Sequence, residues 1–413
     1  MLSVVCWGYK YLQAHFTDVS YTPTWVFALS VFCYGCGRPD CQTGSSKAPT
    51  PFLCGGKVLQ INNPLRVFGG KRIVKMSLSI INDSIREFHL FAGIGGGIYG
   101  GSLLGHTCCA GVEIDKYCQN VLRQRQLDGW MNSFPIYEDI KELNGKDFEN
   151  TFDILCGGFP CQAFSYAAHG NNIEEKNLWP EMFRFVKESD APIVFGENVI
   201  IEAIDIAKQD LESIGYKVER CRVACMDLDA DHKRPRFWLL AMKDNKVFNK
   251  VAKHISSLPR LKADFWKVDP NSIVYPSPVP VLAPQKKGIG NAQAPIAAAV
   301  AFRVLVNRHL NHQFNSEVVN PEEVDAVFER CVTWIKSQNP NDPIFVHTPT
   351  TMGNYHYKSM QKHPSCAKYV RIFGKPTALH AEYLMGFPIG ASSPFPQTIN
   401  NYKLWITQTF RKD

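Results

Sequence analysis

Residues 88–97 read Phe88-His-Leu-Phe-Ala-Gly-Ile-Gly-Gly-Gly97, an apolar run ending in glycines 93, 95, 96 and 97. The run has the length and composition of a buried strand, and the glycines supply a tight turn into a helix. Such a turn lets a ligand approach the backbone with no Cβ in the way, which makes Gly93 and Gly95 candidate ligand contacts. Taken alone the turn is weak evidence, since it more often binds a phosphate or only reverses the chain. The strict G-x-G-x-x-G register is missing, which argues against a dinucleotide.

Outward from this stretch, short apolar runs alternate with amphipathic segments. Strands are expected at Phe88–Ala92, Thr107–Val112, Phe152–Cys156, Ile193–Phe195, Lys217–Val223 and Phe237–Ala241, with a helix at Ile204–Ile214. That alternation predicts an α/β fold: a mostly parallel sheet with helices on both faces. Twenty residues beyond Gly93, Glu113 ends the second strand in Gly-Val-Glu-Ile-Asp. A carboxylate there can accept both hydroxyls of a ribose, although an isolated acid at a strand end is more often plain surface. Asp139 closes another probable strand and can accept from an adenine amino group. The three features together suit an adenosyl ligand that brings no pyrophosphate.

The segment Asp153-Ile-Leu-Cys-Gly-Gly-Phe-Pro-Cys-Gln-Ala-Phe-Ser165 is the most informative chemically. A strand runs into Gly157 and Gly158, and Pro160 fixes the backbone just before Cys161. A thiol at the carboxyl edge of a sheet is a nucleophile if neighbouring donors or cations lower its pKa; most such cysteines are simply buried small hydrophobes. Glu197, in Glu-Asn-Val at 197–199, also ends a strand and can share the cleft with Cys161. A carboxyl beside a thiol suits a base whose ring nitrogen must be protonated before the thiolate attacks. His232-Lys-Arg-Pro-Arg236 leads into the last strand, and the alternation of Arg234 and Arg236 predicts that both point to one side, toward a base carbonyl and a flanking phosphate. A solvated charge run is the competing explanation.

Of the formal charge of +7, residues 1–75 carry +6, with eight Lys or Arg against Asp18 and Asp40. The rest is nearly neutral, so any nucleic-acid surface there is a local patch. The fourteen cysteines are scattered with no disulfide framework, which fits a reducing compartment. The run Thr24–Tyr34 is too short to span a bilayer and lacks the flanks of a signal peptide, so no membrane partner and a cytoplasmic protein are expected. Cys33, Cys36 and Cys41, with His15 or Cys54, could make a zinc knuckle. The second CxxC pair is missing, so residues 1–83 are expected to be a poorly structured leader and no metal site is expected. Met76 is read as the true start; N-terminal sequencing of the native protein tests it.

Prolines 276, 278, 280 and 284 mark a linker. Beyond them Ala294–Leu310 reads as a very apolar helix. Another opens at Asn320 and Pro321, with Val324, Val327, Phe328, Cys331, Trp334 and Ile335 on one stripe. The tail from Val346 shows no clear period and is expected to be loop-dominated. The domain boundaries that follow are a leader at 1–83, a catalytic domain at 84–310, and a C-terminal helix with a recognition region at 311–413.

Together these residues resemble the cytosine-C5 DNA methyltransferase family. The glycine motif at 91–97, Glu113, Asp139, Pro160-Cys161, Glu197-Asn-Val, the basic segment 232–236 and Gly290-Asn-Ala-Gln-Ala-Pro295 stand in the family's order. The resemblance implies a Rossmann-like class I methyltransferase sheet, S-adenosylmethionine as cofactor, double-stranded DNA as partner, and a monomer of bacterial or phage origin that can have a cognate restriction enzyme. By the same resemblance Cys161 adds to C6 of a flipped-out cytosine, Glu197 holds N3, and Arg234 and Arg236 serve the base and the Cys161 loop. Phe91, Gly93, Gly95, Glu113, Asp139, Pro160 and Asn291 map to cofactor contacts, and 163–180 to a loop that closes on DNA.

Two departures stand out. Only about 50 residues separate the basic motif from the Gly-Asn motif, where the family usually places its recognition region. The Leu384-Met-Gly-Phe-Pro388 motif follows the Gly-Asn motif instead of preceding it. The recognition region is therefore expected near 346–390. The alternatives are the same chemistry on tRNA and a catalytically silent DNA-binding relative.

Overall fold

Strands buried on both faces read as unbroken apolar runs, and the central strands here do so because helices cover both sides of the sheet. The structure, a computed structural model, describes residues 84–160, 177–228, 230–259, 266, 283–311, 345–351 and 353–409, together with strand segments at 52–54, 57–60 and 79–80. Cys161, the start of the expected closing loop, the zinc-knuckle candidates apart from Cys54, prolines 276–280 and the helix expected from Asn320 lie outside the described residues, as does Met76. The chain divides into two units, Met1–Gln60 and Ile61–Asp413. The first contributes a hairpin that pairs Phe52 with Leu59 and Cys54 with Lys57.

The main sheet of the second unit holds β1 (Arg86–Leu90), β2 (Thr107–Val112), β3 (Ile136–Tyr137), β4 (Ile154–Gly158), β5 (Ile193–Asn198), β6 (Lys217–Ala224) and β7 (Pro235–Met242). Their spatial order is β3-β2-β1-β4-β5-β7-β6. The first five run parallel, and β7 is antiparallel to both neighbours. The strand order reverses between β1 and β4, so a crevice opens at their carboxyl ends, where open α/β sheets bind ligands.

Helices α1 (Gly96–Leu103), α2 (Lys116–Leu127), α5 (Asn245–Ser256), α6 (Ala283–Asn291) and α7 (Pro295–Asn311) serve one face; α3 (Trp179–Ser189) and α4 (Ile201–Ser213) serve the other. The strand alternation sorts residues accordingly. Trp238 and Leu240 join the first core and Leu239 and Ala241 the second; Ile154 and Cys156 join the first and Leu155 the second. The stretch 283–310 is apolar enough to cross a membrane by composition, yet 72% of its most apolar window is buried inside the protein. It holds the core helices α6 and α7, with α7 packed on α1, α5, β6 and β7. Pro284, expected in a linker, instead occupies the first turn of α6, where its missing N–H costs nothing.

Strand β1 breaks the apolar rule on one face. Phe88 and Leu90 point into the α3 side, while Glu87 and His89 point toward α1. Glu87 is held between two imidazoles, His89 Nε2 at 2.9 Å and His106 Nδ1 at 2.6 Å. Helix α1 closes over this carboxylate only because Gly101 has no side chain: a Cβ there would lie 1.9 Å from Glu87 Oε2.

The tail also departs from the loop-dominated expectation. It carries α8 (Pro364–Phe373), α9 (Ala378–Met385) and α10 (Ile399–Thr409). Each is short, but Pro364 starts α8, Thr377 caps α9, and Gly386 ends α9 with φ 73°. Cys366, Tyr369 and Phe373 form a helical stripe too brief to stand out by period. These helices share the first core with α1 and α7: Tyr99 meets Phe387 and Trp405 edge-on. Arg125, fully buried on α2, donates to the Gly390 carbonyl at 2.6 Å and pairs with Asp128.

Burial alone would raise the Glu87 carboxyl, but His106 and His89 overrule it and lower the pKa from 4.5 to about 2. A depressed carboxyl stabilises the fold above its unfolded pKa, and that stability is lost as pH falls through the folded value. Glu87→Gln should therefore cost about 3 kcal/mol near neutral pH. In urea melts its gap from the wild type should narrow as pH drops from 4.5 toward 2; a pH-independent gap would contradict this account of Glu87.

Candidate active site

The cleft at the β1/β4 reversal has a volume of about 470 Å³, and the carboxyl ends of β1, β2, β4 and β5 open into it. Its floor is the glycine turn. Phe91 and Gly93 adopt the left-handed region, with φ 54° and 57°, and Gly95 caps α1 at φ 92°. A Cβ on Gly93 would meet nothing within 4 Å, so that face of the backbone is open.

Glu113 lies beside this turn. Its carboxylate accepts from the Gly93 N–H at 2.6 Å and the Asp115 N–H at 2.8 Å, and burial pushes its pKa up against those two donors. Each oxygen keeps a lone pair for a further donor. Ile114 follows, 70% exposed on the cleft wall with Phe91 among the other lining residues. Asp139 lines the same cleft and caps a short turn by accepting from Lys141 N–H at 3.0 Å. Asn291, at the end of α6, lines it too. Lys287 adds a feature no sequence signal marked: it reaches Asp115 at 2.9 Å across the rim and, against a burial cost, helps hold that carboxyl low.

Glu197 enters from the other side. It pairs in register with Gly158, so the ends of β4 and β5 sit side by side. Pro160 lines the cleft immediately before Cys161, which lies outside the described residues. Glu197 is buried, and burial pushes its pKa up despite Arg236 and Arg234. Arg236 Nε stands 3.0 Å from Glu197 Oε1, close enough for an ion pair but without the angle of a directed hydrogen bond. That oxygen has capacity for a ligand.

The two arginines differ. Both were expected on one side, but Arg234 has φ 40°, which breaks the extended alternation. Its guanidinium turns inward and donates to the carbonyls of Gly290 at 3.0 Å, Ala292 at 2.6 Å and Pro349 at 3.4 Å. Burial, with Arg236 adding repulsion, lowers its pKa to about 9. Only Arg236 of the two lines the cleft; Arg234 fixes the loop that carries Asn291.

Two residues were quoted in motifs without a role. Asn198 donates from Nδ2 to the Phe159 carbonyl at 3.0 Å and accepts from Ile200 N–H, tying the end of β5 to the residue before Pro160. Gln293 places Nε2 3.4 Å from Glu197 Oε2. The displaced Leu384-Met-Gly-Phe-Pro388 motif also finds its place: the Leu384 carbonyl accepts from His232 Nε2 at 2.6 Å and from Trp266 Nε1 at 3.1 Å. It thereby anchors the segment that aims Arg236.

The profile of the C-5 cytosine-specific DNA methylase family matches residues 85–286, from β1 into α6. The type II methyltransferase M.CviJI of Paramecium bursaria Chlorella virus IL3A is 31% identical over 169 residues, which is 39% of this chain and 44% of the relative. The type II methyltransferase M.HhaI of Haemophilus parahaemolyticus is 30% identical over 171 residues, 39% of this chain and 50% of the relative. Among solved structures, the S. pombe Dnmt2 methyltransferase aligns over 38% of this chain and 50% of its own, at 18% identity and a TM-score of 0.33. The chain spans about half the length of the curated relatives it matches. The profile covers the glycine turn, Glu113, Glu197 and the arginine segment in one span, so over residues 85–286 this chain is similar to the C-5 cytosine-specific DNA methylase family.

Proposed function

We propose that the protein transfers a methyl group from S-adenosylmethionine to C5 of cytosine in double-stranded DNA, with Cys161 as nucleophile. The observation that carries this reading is Glu197: a buried carboxyl with a raised pKa, one oxygen without a hydrogen-bond partner, beside Arg236 and in the same cleft as Pro160 and the glycine turn. A carboxyl whose pKa is raised holds its proton more readily than a free one and can give it to a ring nitrogen.

The cleft suits an adenosyl group. The open face of Gly93 admits a ligand against the backbone, Glu113 has lone pairs for ribose hydroxyls, and Ile114 and Phe91 offer apolar surface to a purine. Asp139 and Asn291 line the remainder. S-adenosylmethionine supplies an electrophilic methyl group when bound.

The chemistry follows from the residues. The Cys161 thiolate forms a bond to C6 while N3 takes the proton of Glu197, which leaves C5 electron-rich. C5 would take the methyl group in exchange for its proton, which passes to a base; N3 returns its proton to Glu197 as the C6–S bond breaks, giving back the thiolate and neutral 5-methylcytosine. Arg236 keeps Glu197 oriented, and Arg234 holds the Asn291 loop. A stacked base hides its C6 face, so the target must leave the helix. Basic residues at 358–375 make that region the DNA-recognition surface in this reading; a cognate restriction partner, a monomeric state and a cytoplasmic site of action accompany it.

Bisulfite sequencing of a plasmid from cells expressing the protein, beside assays on duplex DNA and tRNA, tests the substrate. Methylated cytosines on tRNA alone would overturn the DNA assignment. Cys161→Ser should abolish turnover and leave cofactor binding unchanged. Glu197→Gln should lower kcat by roughly 10²–10⁴-fold. Because the raised carboxyl must be protonated to act, wild-type kcat should fall as pH rises through its pKa, and that limb should vanish in the variant. Glu113→Ala should weaken S-adenosylmethionine binding by roughly 10–100-fold in calorimetry; unchanged affinity would remove Glu113 from the cofactor site.

A further inference from the structure

We infer that His347, His363 and Cys366 bind one zinc ion, with a water molecule completing its coordination. Each residue offers one ligand atom, and the three atoms all lie within 4.8 Å of one another. They come from two segments. His363 caps the start of α8 and Cys366 sits in its first turn, a His-x-x-Cys spacing, while His347 arrives from the irregular stretch 345–351. His347 and Ser365, which touch in this cluster, are 18 residues apart. A cluster built across that distance leaves no compact motif, so sequence alone gave no reason to expect a metal here.

Backbone bonds bring the ligands together before any ion binds. His347 N–H donates to the Ser365 carbonyl at 3.1 Å, and Cys366 N–H donates to the His363 carbonyl at 3.0 Å. On either side of His347 the stretch is tied to the arginine segment: Val346 N–H donates to the Asp231 carbonyl at 2.8 Å, and the Pro349 carbonyl accepts from Arg234 Nη1 at 3.4 Å. The His347 ring rests on Tyr355 with centroids 4.8 Å apart, and Tyr355 rests on Tyr369 of α8 at 4.9 Å. Ser365 Oγ lies 3.2 Å from His347 Nδ1 and 2.9 Å from His363 Nδ1, so one hydroxyl keeps the two imidazoles side by side. A hydroxyl is a weaker partner for imidazole nitrogen than a divalent cation, and it turns aside when the ion enters.

The donor set selects the metal. Two imidazoles and a thiolate suit zinc, while calcium and magnesium take oxygen ligands, which this set does not offer. Zinc–nitrogen bonds of about 2.0–2.1 Å and a zinc–sulfur bond of about 2.3 Å put tetrahedral ligand atoms roughly 3.5 Å apart, so the cluster closes by about 1 Å on binding. His363 supplies that movement and the entry path, because it is exposed while Cys366 is fully buried and His347 half-buried. Cys366 is in no disulfide; its thiol loses a proton to solvent as the sulfur–zinc bond forms. The ion thereby clamps the stretch 345–351, and with it the Asp231–Arg234 segment, onto α8. A second group among the described residues, Glu87, His89 and Cys156, brings its ligand atoms as close together. There both Glu87 oxygens already meet imidazole nitrogens, so those ligands are spent on one another.

The test is a zinc titration of the metal-free full chain by calorimetry and thermal melting. It is run in a background carrying Cys33→Ser and Cys36→Ser, so that the cysteines near the N-terminus take no part. One equivalent of zinc should bind and raise Tm by several degrees. Cobalt in place of zinc should give a thiolate-to-metal charge-transfer band and the strong visible absorption of a tetrahedral site. His363→Ala, at an exposed position, should leave the metal-free Tm unchanged and remove the rise on adding zinc. It should weaken zinc binding by about 100-fold or more, at or beyond the upper end of the roughly 10–100-fold that losing an outer-shell partner costs. His347→Ala should weaken it as much, and Cys366→Ser should abolish the charge-transfer band. No bound equivalent in this background, an affinity unmoved by His363→Ala, or a cobalt spectrum without the thiolate band would each overturn the site. None of these readouts needs turnover, so the site stands or falls separately from the methyl-transfer reaction.

Discussion

How near the glycine turn, the Glu197 carboxyl and the α6–α7 loop can come to one another is set by side chains that are missing. Gly97 and Gly158 flank the Gln293 amide, and Gly101 leaves room for the Glu87 carboxylate beneath α1. A methyl group at Gly101 would overlap that carboxylate, and one at Gly97 or Gly158 would push Gln293 away from the cleft. The reversal of strand order between β1 and β4 makes a crevice in any fold of this class. Here the glycines make it narrow enough for its walls to exchange hydrogen bonds.

Charge is brought into this core only in compensated form. Glu87 is enclosed by two histidines, Glu197 by Arg236 and Gln293, and Arg234 by three carbonyls. An isolated charge at any of these depths would be prohibitively costly. The difference among them is purposeful in physical terms. Glu87 is saturated and strongly acidic, a fixed anion. Glu197 is under-satisfied at Oε1 and held less acidic than a free carboxyl, the condition of a group that exchanges a proton.

The turn after α9 shows why the order of motifs along a chain matters less than where their backbone polar groups end up. The carbonyls of Leu384 and Gly386 accept from His232, Trp266 and Trp405, which come from three separate segments. The same contacts would form whether this turn preceded or followed α6 in sequence, provided it reaches the same surface. Arg125 and Tyr99 complete the attachment, so residues 378–409 belong to the core that supports the sheet.

The sequence by itself determined the sheet, because strands buried on two faces must be apolar throughout, and Thr107–Val112 is found where that rule places it. It also determined which carboxylates and glycines end those strands, since Glu113, Glu197 and Gly93 follow apolar runs directly. The tertiary structure decided what periodicity cannot carry. A left-handed backbone at Arg234 turned one of two alternating arginines away from the cleft, and Gln293 gained its contact with Glu197 only from the strand that lies beside it. The short helices of the tail, the Lys287–Asp115 bridge and the Leu384 anchor all join residues far apart in the chain. A local pattern records what a residue's neighbours in sequence require of it, and these contacts are imposed by neighbours in space.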